Sequence, residues 1–116
     1  MSKRSPKLLL EDILLSVSKI INYTQSLSFD EFVSDDKTID AVIRNFEIIG
    51  EAANRLSDEI KNQYPSVDWY RLRGFRNRIV HDYMGIDYKI VWNIKENFLP
   101  LLTDEIKLII EKLADK

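Results

Sequence analysis

Trp69-Tyr-Arg-Leu-Arg-Gly-Phe-Arg-Asn-Arg-Ile-Val-His-Asp-Tyr83 is the stretch that decides how this chain folds, because its apolar residues recur at helical spacing. A helix face that packs against a core has apolar residues three and four positions apart, which here are Trp69, Leu72, Ile79 and Tyr83. Arg76 occupies the remaining position of that face. A guanidinium there needs an anionic partner or an opening to solvent, because an unpaired buried charge is costly. We therefore expect function in this helix.

The same periodicity predicts long helices upstream of this stretch. Ser5 as cap residue and Pro6 at the first helical position begin a helix that is expected to end near Gln25. Asp35 or Asp36 caps a second long helix. The expected core positions of these two helices are Leu10, Ile13, Val17, Ile20, Thr24, Ile39, Val42, Phe46, Ile49, Ala53 and Leu56.

Shorter elements are predicted between and after the long helices. A capping box predicts a short helix over Ser28–Val33, and Ser57 begins a further turn that ends at Pro65. Asp68 caps the helix of the quoted stretch, and Gly85 breaks the chain after it. Downstream, Asp87 caps a helix with inward positions at Ile90, Val91, Ile94 and Phe98.

The last segment contains Pro100, which either kinks this helix or starts a new one. Its expected apolar face is Leu101, Leu102, Ile106, Ile109, Ile110 and Leu113. With 116 residues, 45% of them hydrophobic, we expect one domain over residues 1–116. Only three glycines and three prolines are present, which disfavours a turn-rich β fold. The predicted fold is an all-α bundle of four or five main helices.

Composition also limits the function classes. The chain has no cysteine, which excludes disulfides and thiolate metal sites and is typical of a reducing cytoplasm. The apolar run Leu8–Leu10 is too short for a signal peptide or a membrane span. A net charge of -2 argues against indiscriminate nucleic-acid binding, so any RNA contact requires a local basic patch. We therefore expect a cytoplasmic protein with no membrane partner.

Arg76-Asn-Arg-Ile-Val-His-Asp-Tyr83 has the form R-N-x-x-x-H-x-Y, which resembles the signature of HEPN-domain ribonucleases and, among them, the HepT-like toxins. The resemblance extends to Ala41–Ala52, which is similar to the family's second helix signature, and to Gly85–Trp92. It implies a HEPN-type helical bundle and an endoribonuclease that is the toxin of a toxin–antitoxin pair.

Three residues of this segment have the chemistry that RNA cleavage requires. His81 is a proton-transfer group, Asn77 offers a hydrogen-bonding amide on the same helix face, and Arg76 is a bidentate phosphate clamp. The other arginines, Arg71, Arg73 and Arg78, are RNA-binding candidates. Alternatively, a lone histidine near a helix end is more often structural, and clustered arginines are most often a solvated face.

Glu47 is the expected partner of Arg76 from the neighbouring helix, whereas Glu51 is expected to form a surface ion pair with Arg55. One histidine per chain is too few for a reaction that needs an acid and a base. A two-fold dimer supplies two copies of His81 if their helices meet at the axis. The family resemblance implies this arrangement, with a composite site at the homodimer interface.

Tyr83 lies two residues beyond His81 and is either a core aromatic or a hydroxyl at the same cleft. The resemblance to HepT implies that Tyr83 accepts AMP from a partner, an MntA-like minimal nucleotidyltransferase antitoxin, and that this silences the toxin. No cluster of histidine, cysteine and carboxylates has metal-ligand spacing, so we expect neither a metal nor another cofactor. The alternative function is a non-catalytic subunit that only scaffolds the nucleotidyltransferase.

Overall fold

The computed structural model describes the backbone of residues 4–81 and 87–114, and the side chains in these ranges except those of residues 76–81 and 114. The helices are α1 (Pro6–Thr24), α2 (Phe29–Val33), α3 (Asp36–Arg55), α4 (Asp58–Gln63), α5 (Trp69–His81), α6 (Tyr88–Asn93) and α7 (Leu99–Ala114). A π-helical segment, Ile94–Phe98, joins α6 to α7. No strand occurs in the described ranges, and the four long helices α1, α3, α5 and α7 confirm the predicted all-α bundle.

Polar cap residues begin the helices at the predicted positions. Ser28 forms a full capping box, in which its hydroxyl accepts from the Glu31 N–H and Glu31 accepts from the Ser28 N–H. Asp68 accepts a hydrogen bond from the Arg71 N–H at 3.0 Å and so caps α5. The other side-chain caps accept from the third or second residue beyond them, at Ser5, Asp35, Ser57 and Asp87. The predicted break at Gly85 lies outside the described residues.

The core forms where α3 packs against both α1 and α5, while α7 packs against α1. All the core positions predicted for α1 and α3 are buried, including Thr24, whose hydroxyl donates to the Ile20 carbonyl at 2.8 Å. On α5, the predicted residues Trp69 and Leu72 are buried together with Phe75. The described part of α5 is thus anchored by one apolar face, while Tyr70 on the opposite face is exposed.

Three aromatic rings tie α5 to its neighbours. The ring of Phe75 meets the ring of Phe46 on α3 edge to face, with centroids 5.1 Å apart. It also meets Phe98 of the π-helical segment at 6.0 Å. Such pairs contribute about 0.5–1.5 kcal/mol each beyond the burial of their area. Phe75 therefore fixes how α5 is seated on the bundle.

Pro100 lies in the first turn of α7, and the turn before it widens into the π-helical segment. Proline has no N–H and its ring collides with the carbonyl four residues earlier in a regular helix. The Leu99 N–H accordingly donates to the Ile94 carbonyl, five residues back. A widened turn accommodates the ring while the helix direction continues.

Two apolar positions predicted to face inward are exposed instead. The side chain of Ile90 is 54% exposed and that of Leu101 is 64% exposed. Each is adjacent to a buried neighbour, Val91 and Leu102, and consecutive helical residues point about 100° apart. In each pair, Val91 or Leu102 faces the core and its neighbour points away from it. No helix in the described ranges is both long and apolar enough to cross a membrane.

Candidate active site

The candidate site is expected on the side of α5 that faces away from the core. Trp69 is fixed at its start, because the indole N–H donates to the Tyr64 carbonyl at 3.0 Å. Leu72 is fully buried and Phe75 is 5% exposed, so these residues define the inner face. Because each residue of a helix is rotated by about 100°, a residue about two positions before or after an inward-facing residue points to the opposite side. Tyr70 and Gly74 occupy these outward positions.

The outward positions form one row along α5. Tyr70 is 86% exposed, and a Cβ added at Gly74 would meet no atom within 4 Å. Because α5 is continuous to His81, residues seven and eleven positions beyond Tyr70 continue the row, and these are Asn77 and His81. Eleven residues of helix extend over about 16 Å. The predicted histidine and asparagine therefore share a helix face with an open stretch of backbone.

Basic residues flank this row on both sides. The guanidinium carbon of Arg71 lies 4.3 Å from the centroid of the Phe98 ring, a cation–π contact worth about 0.5–1 kcal/mol at an exposed site. Arg73 lies on the other flank and is exposed. Burial, and then the nearby positive charge of Arg73, lower the pKa of Lys61 on α4, and Asp58 opposes this shift. A local basic patch, which RNA contact would require, is thus present in the described part of α5 and α4.

Glu47 pairs within its own helix, where a carboxylate oxygen lies 3.4 Å from the Arg44 guanidinium. Sequence reasoning missed this pair, although the separation of three residues signals it. The predicted contact between Glu47 and Arg76 involves a side chain outside the described residues. The predicted pair of Glu51 and Arg55 is confirmed, at 2.9 Å.

The remaining predicted site residues have less described structure. The backbone of Arg76, Asn77, Arg78 and His81 belongs to α5, while their side chains lie outside the described residues. Tyr83 also lies outside them. Among the described side chains, no group of three or more histidines and carboxylates is arranged to hold a metal ion. A groove between α1 and α7, lined by residues such as Leu15, Asn22 and Lys107, has no lining residue on α5.

Sequence reasoning also missed two contributors to the basic patch and one exposed residue of the row. Phe98 supports Arg71 from the π-helical segment, a contact between distant parts of the chain that periodicity does not reveal. Lys61 belongs to α4, and periodicity within α5 does not reveal its relation to Arg73 either. Tyr70, in contrast, had a signal, because it lies four and seven residues before Gly74 and Asn77 and so shares their face.

The sequence model of the HepT-like family, described as ribonuclease HepT-like, matches residues 13–109. The chain is 41% identical over 113 residues to "Putative RNase MJ0127" of Methanocaldococcus jannaschii, covering 97% of this chain and 93% of that protein. It is 36% identical over 100 residues to "Probable ribonuclease HepT" of Thermococcus cleftensis, covering 86% of this chain and 91% of that protein.

A third relative, "Putative RNase TTE0752" of Caldanaerobacter subterraneus, is 33% identical over 109 residues, which are 94% of this chain and 97% of that protein. No solved structure matches the chain. The matched residues include α3, α5 and nearly all the other described elements. The chain therefore belongs to the HepT-like ribonuclease family of the HEPN superfamily.

Proposed function

We propose that this protein is an endoribonuclease that cleaves RNA without a metal ion and acts as the toxin of a toxin–antitoxin system. The observation that carries the proposal is the row on α5, which begins at the exposed Tyr70 and is flanked by basic residues. Helical spacing continues this row to the positions of Asn77 and His81. Membership in the HepT-like family supports the same activity. If His81 had a purely structural role, we would expect it on the inner face of α5, where Leu72 and Phe75 lie.

In the proposed reaction, a base removes the proton from a ribose 2′-hydroxyl, whose oxygen attacks the adjacent phosphorus. The bond from phosphorus to the 5′-oxygen breaks, and an acid protonates that oxygen. The products are a 2′,3′-cyclic phosphate and a 5′-hydroxyl. His81 serves in proton transfer, because the unperturbed pKa of histidine is about 6.5. Arg76 binds the phosphoryl oxygens, and Asn77 hydrogen-bonds at the same site.

A composite site in a homodimer supplies both proton-transfer groups. His81 of one protomer is the base, and His81 of the partner subunit is the acid. A two-fold axis near the end of α5 brings the two helices together. Glu47 on α3, the helix against which α5 packs, is the proposed support for Arg76. Arg71, Arg73 and Arg78 attract the RNA backbone on the flanks of the row.

Control of the enzyme is proposed to act at Tyr83. An MntA-like nucleotidyltransferase antitoxin transfers AMP from ATP to the tyrosine hydroxyl, with release of pyrophosphate. The new phosphodiester is negatively charged and pairs with arginines that otherwise bind RNA. It also repels the incoming polyanion. Modification at this position therefore blocks the site electrostatically as well as by bulk.

The activity is tested by incubating the purified protein with end-labelled RNA in EDTA and analysing the product ends. We expect cleavage that leaves 2′,3′-cyclic phosphate ends, and no cleavage at a nucleotide that carries 2′-deoxyribose. Cleavage at the 2′-deoxy position, or cleavage only after magnesium is added, would contradict the proposed chemistry. No RNA cleavage under any of these conditions would favour the non-catalytic scaffold instead.

A further inference from the structure

We propose that Tyr70, Lys61 and Arg73 form a second RNA-contact surface, which stacks an unpaired base and binds phosphate in the single strand that flanks the cleaved bond. This surface, called the α4–α5 platform below, rests on the proposed ribonuclease function and adds to it a preference for single-stranded RNA. Its residues come from the first half of α5 and from α4.

Tyr70 has the exposure of a binding residue. Its side chain is 86% exposed, more than any other large apolar side chain that is described. Aromatic side chains usually bury most of their area, and no described ring pairs with Tyr70. Exposed aromatic rings beside positive charges are the platforms on which proteins stack bases of single strands. Tyr70 fits this role because its ring is free on the solvent side.

Gly74 leaves room beside that ring. Glycine weakens the interior of a helix, and here nothing within the described part of the chain requires the missing side chain. The open space lies one turn beyond Tyr70, between the tyrosine and the position of Asn77. A nucleotide stacked on Tyr70 can therefore approach the α5 backbone closely on its way to the proposed reaction centre.

Arg73 lies three residues beyond Tyr70 on α5, and the charge of Arg73 acts on Lys61 of α4. Neither forms an ion pair within 4 Å with any described carboxylate. Burial is the main cause that lowers the pKa of Lys61, the positive charge of Arg73 lowers it further, and Asp58 opposes both. A phosphate bound beside Arg73 and Lys61 would pair with both cations.

The distance along the helix determines which part of the RNA is bound. Tyr70 and His81 are eleven residues apart, which corresponds to about 16 Å of α5. A base on Tyr70 thus belongs to a nucleotide several positions from the cleaved bond. A base can stack on a protein ring in this way only when it is unpaired. The platform consequently selects single-stranded substrates longer than the minimal cleaved unit.

The test uses the full-length protein and two RNA ligands. Affinity is measured by fluorescence anisotropy with a labelled twelve-nucleotide single strand carrying 2′-O-methyl groups, which prevent cleavage. Activity is measured on a dinucleotide, which is too short to reach the platform. We expect Tyr70→Ala to weaken binding of the long strand about tenfold, while Tyr70→Phe keeps the affinity. Cleavage of the dinucleotide should be unchanged in both variants.

Salt dependence separates the roles of the ring and the charge. Lys61→Ala should reduce the slope of log K against log salt by about 0.7, because one phosphate contact is lost. Tyr70→Ala should lower affinity at every salt concentration without changing that slope. The matched controls are Tyr23→Ala and Lys19→Ala, which remove an exposed tyrosine and an exposed lysine from α1.

Three outcomes overturn the inference in distinguishable ways. If RNA is cleaved but Tyr70→Ala binds the long strand as the wild type does, the platform is wrong and the proposed function stands. If the wild type neither binds nor cleaves RNA, the proposed function fails together with the platform. If Tyr70→Ala converts a dimer to a monomer in light scattering, this face contacts a second copy rather than RNA.

Discussion

Several residues of α5 are not the ones that the stability of a helix alone would favour. Tyr70 is exposed at a position where a polar side chain would make the protein more soluble. Gly74 lies in a helix interior, and a Cβ added there would have no close neighbour among the described atoms. Arg76 interrupts an apolar row. Exceptions of this kind concentrate where a helix serves a ligand as well as the core.

Replacing Gly74 by alanine is expected to stabilise the protein by about 1 kcal/mol, because alanine is the better helix former and its Cβ meets nothing within 4 Å. Urea unfolding of both proteins measures the difference. Gly50→Ala is the matched control, since Gly50 is buried in α3 and its substitution should not stabilise. A loss of stability in Gly74→Ala would show that the position is constrained in the free protein.

The buried amide of Asn45 is a second exception at this scale. Its nitrogen donates to the Ala41 carbonyl at 2.8 Å, whereas its oxygen has no partner among the described groups. An unsatisfied buried acceptor destabilises a fold by about 1–3 kcal/mol.

At the scale of elements, Phe75 connects α5 to the rest of the bundle. Its ring touches those of Phe46 and Phe98, and the residue is 5% exposed. Phe75→Ala is expected to lower the free energy of unfolding by about 3–5 kcal/mol, and Phe75→Leu by about 1.5 kcal/mol or less. Chemical denaturation tests both values. Equal effects of the two variants would contradict the described packing.

The caps of α2 and α3 predict a loss of stability in acid. The Ser28 backbone N–H lowers the pKa of Glu31 below 4.5, and the Thr38 hydroxyl lowers the pKa of Asp35 below 3.8. Both pKa values are lower in the folded state than in the unfolded state. The stabilisation is therefore complete when the pH is above the unfolded-state pKa values, and it is lost as the pH falls through the folded-state pKa values.

The midpoint of urea unfolding should therefore fall on acidification below these values. The fall should be shallower in the double variant Glu31→Gln with Asp35→Asn, whose neutral amides still cap the helices. If the urea midpoint fell equally with pH in both proteins, the carboxylate charges of Glu31 and Asp35 would contribute nothing to stability.

Local sequence signals predicted the helices and most of the core, because caps and periodicity act within a few residues. The stripes of α1 and α3, the capping box at Ser28 and the caps at Asp68 and Asp87 are examples. Interactions between distant segments were not predictable in this way, such as the contact of Arg71 with Phe98 and the effect of the Arg73 charge on Lys61. The π-helical turn before Pro100 also depends on how the last helix packs as a whole.

The helix that carries the candidate site residues was predictable from the sequence, whereas their roles stay predictions. The spacing of Asn77 and His81 fixes their common face once α5 is helical. The same helical spacing predicts that arginines lie on both sides of this face. Spacing gives no information on the second copy, because a two-fold axis leaves no periodic signal in one chain. The pairing of Glu47 with Arg76 likewise depends on side chains from two helices.

At the scale of the whole molecule, the fold measures 45 × 27 × 24 Å and its proposed reaction requires two copies. The proposed regulation is tested by incubating the protein with an MntA-like nucleotidyltransferase and ATP, and then measuring intact mass and RNA cleavage. The wild type should gain the mass of AMP and lose activity. Tyr83→Phe should keep at least part of its activity and gain no mass. An AMP-sized gain in Tyr83→Phe would show that another residue is the acceptor.

The central claim is that His81 performs proton transfer in RNA cleavage without a metal ion. The most direct measurement is the rate of RNA cleavage in EDTA by the wild type and by His81→Ala, with circular dichroism to verify that both are equally helical. We expect the wild type to cleave RNA and the variant to be slower by about a hundredfold or more, as loss of a general acid or base predicts. A folded His81→Ala protein that cleaves RNA at the wild-type rate would contradict the account.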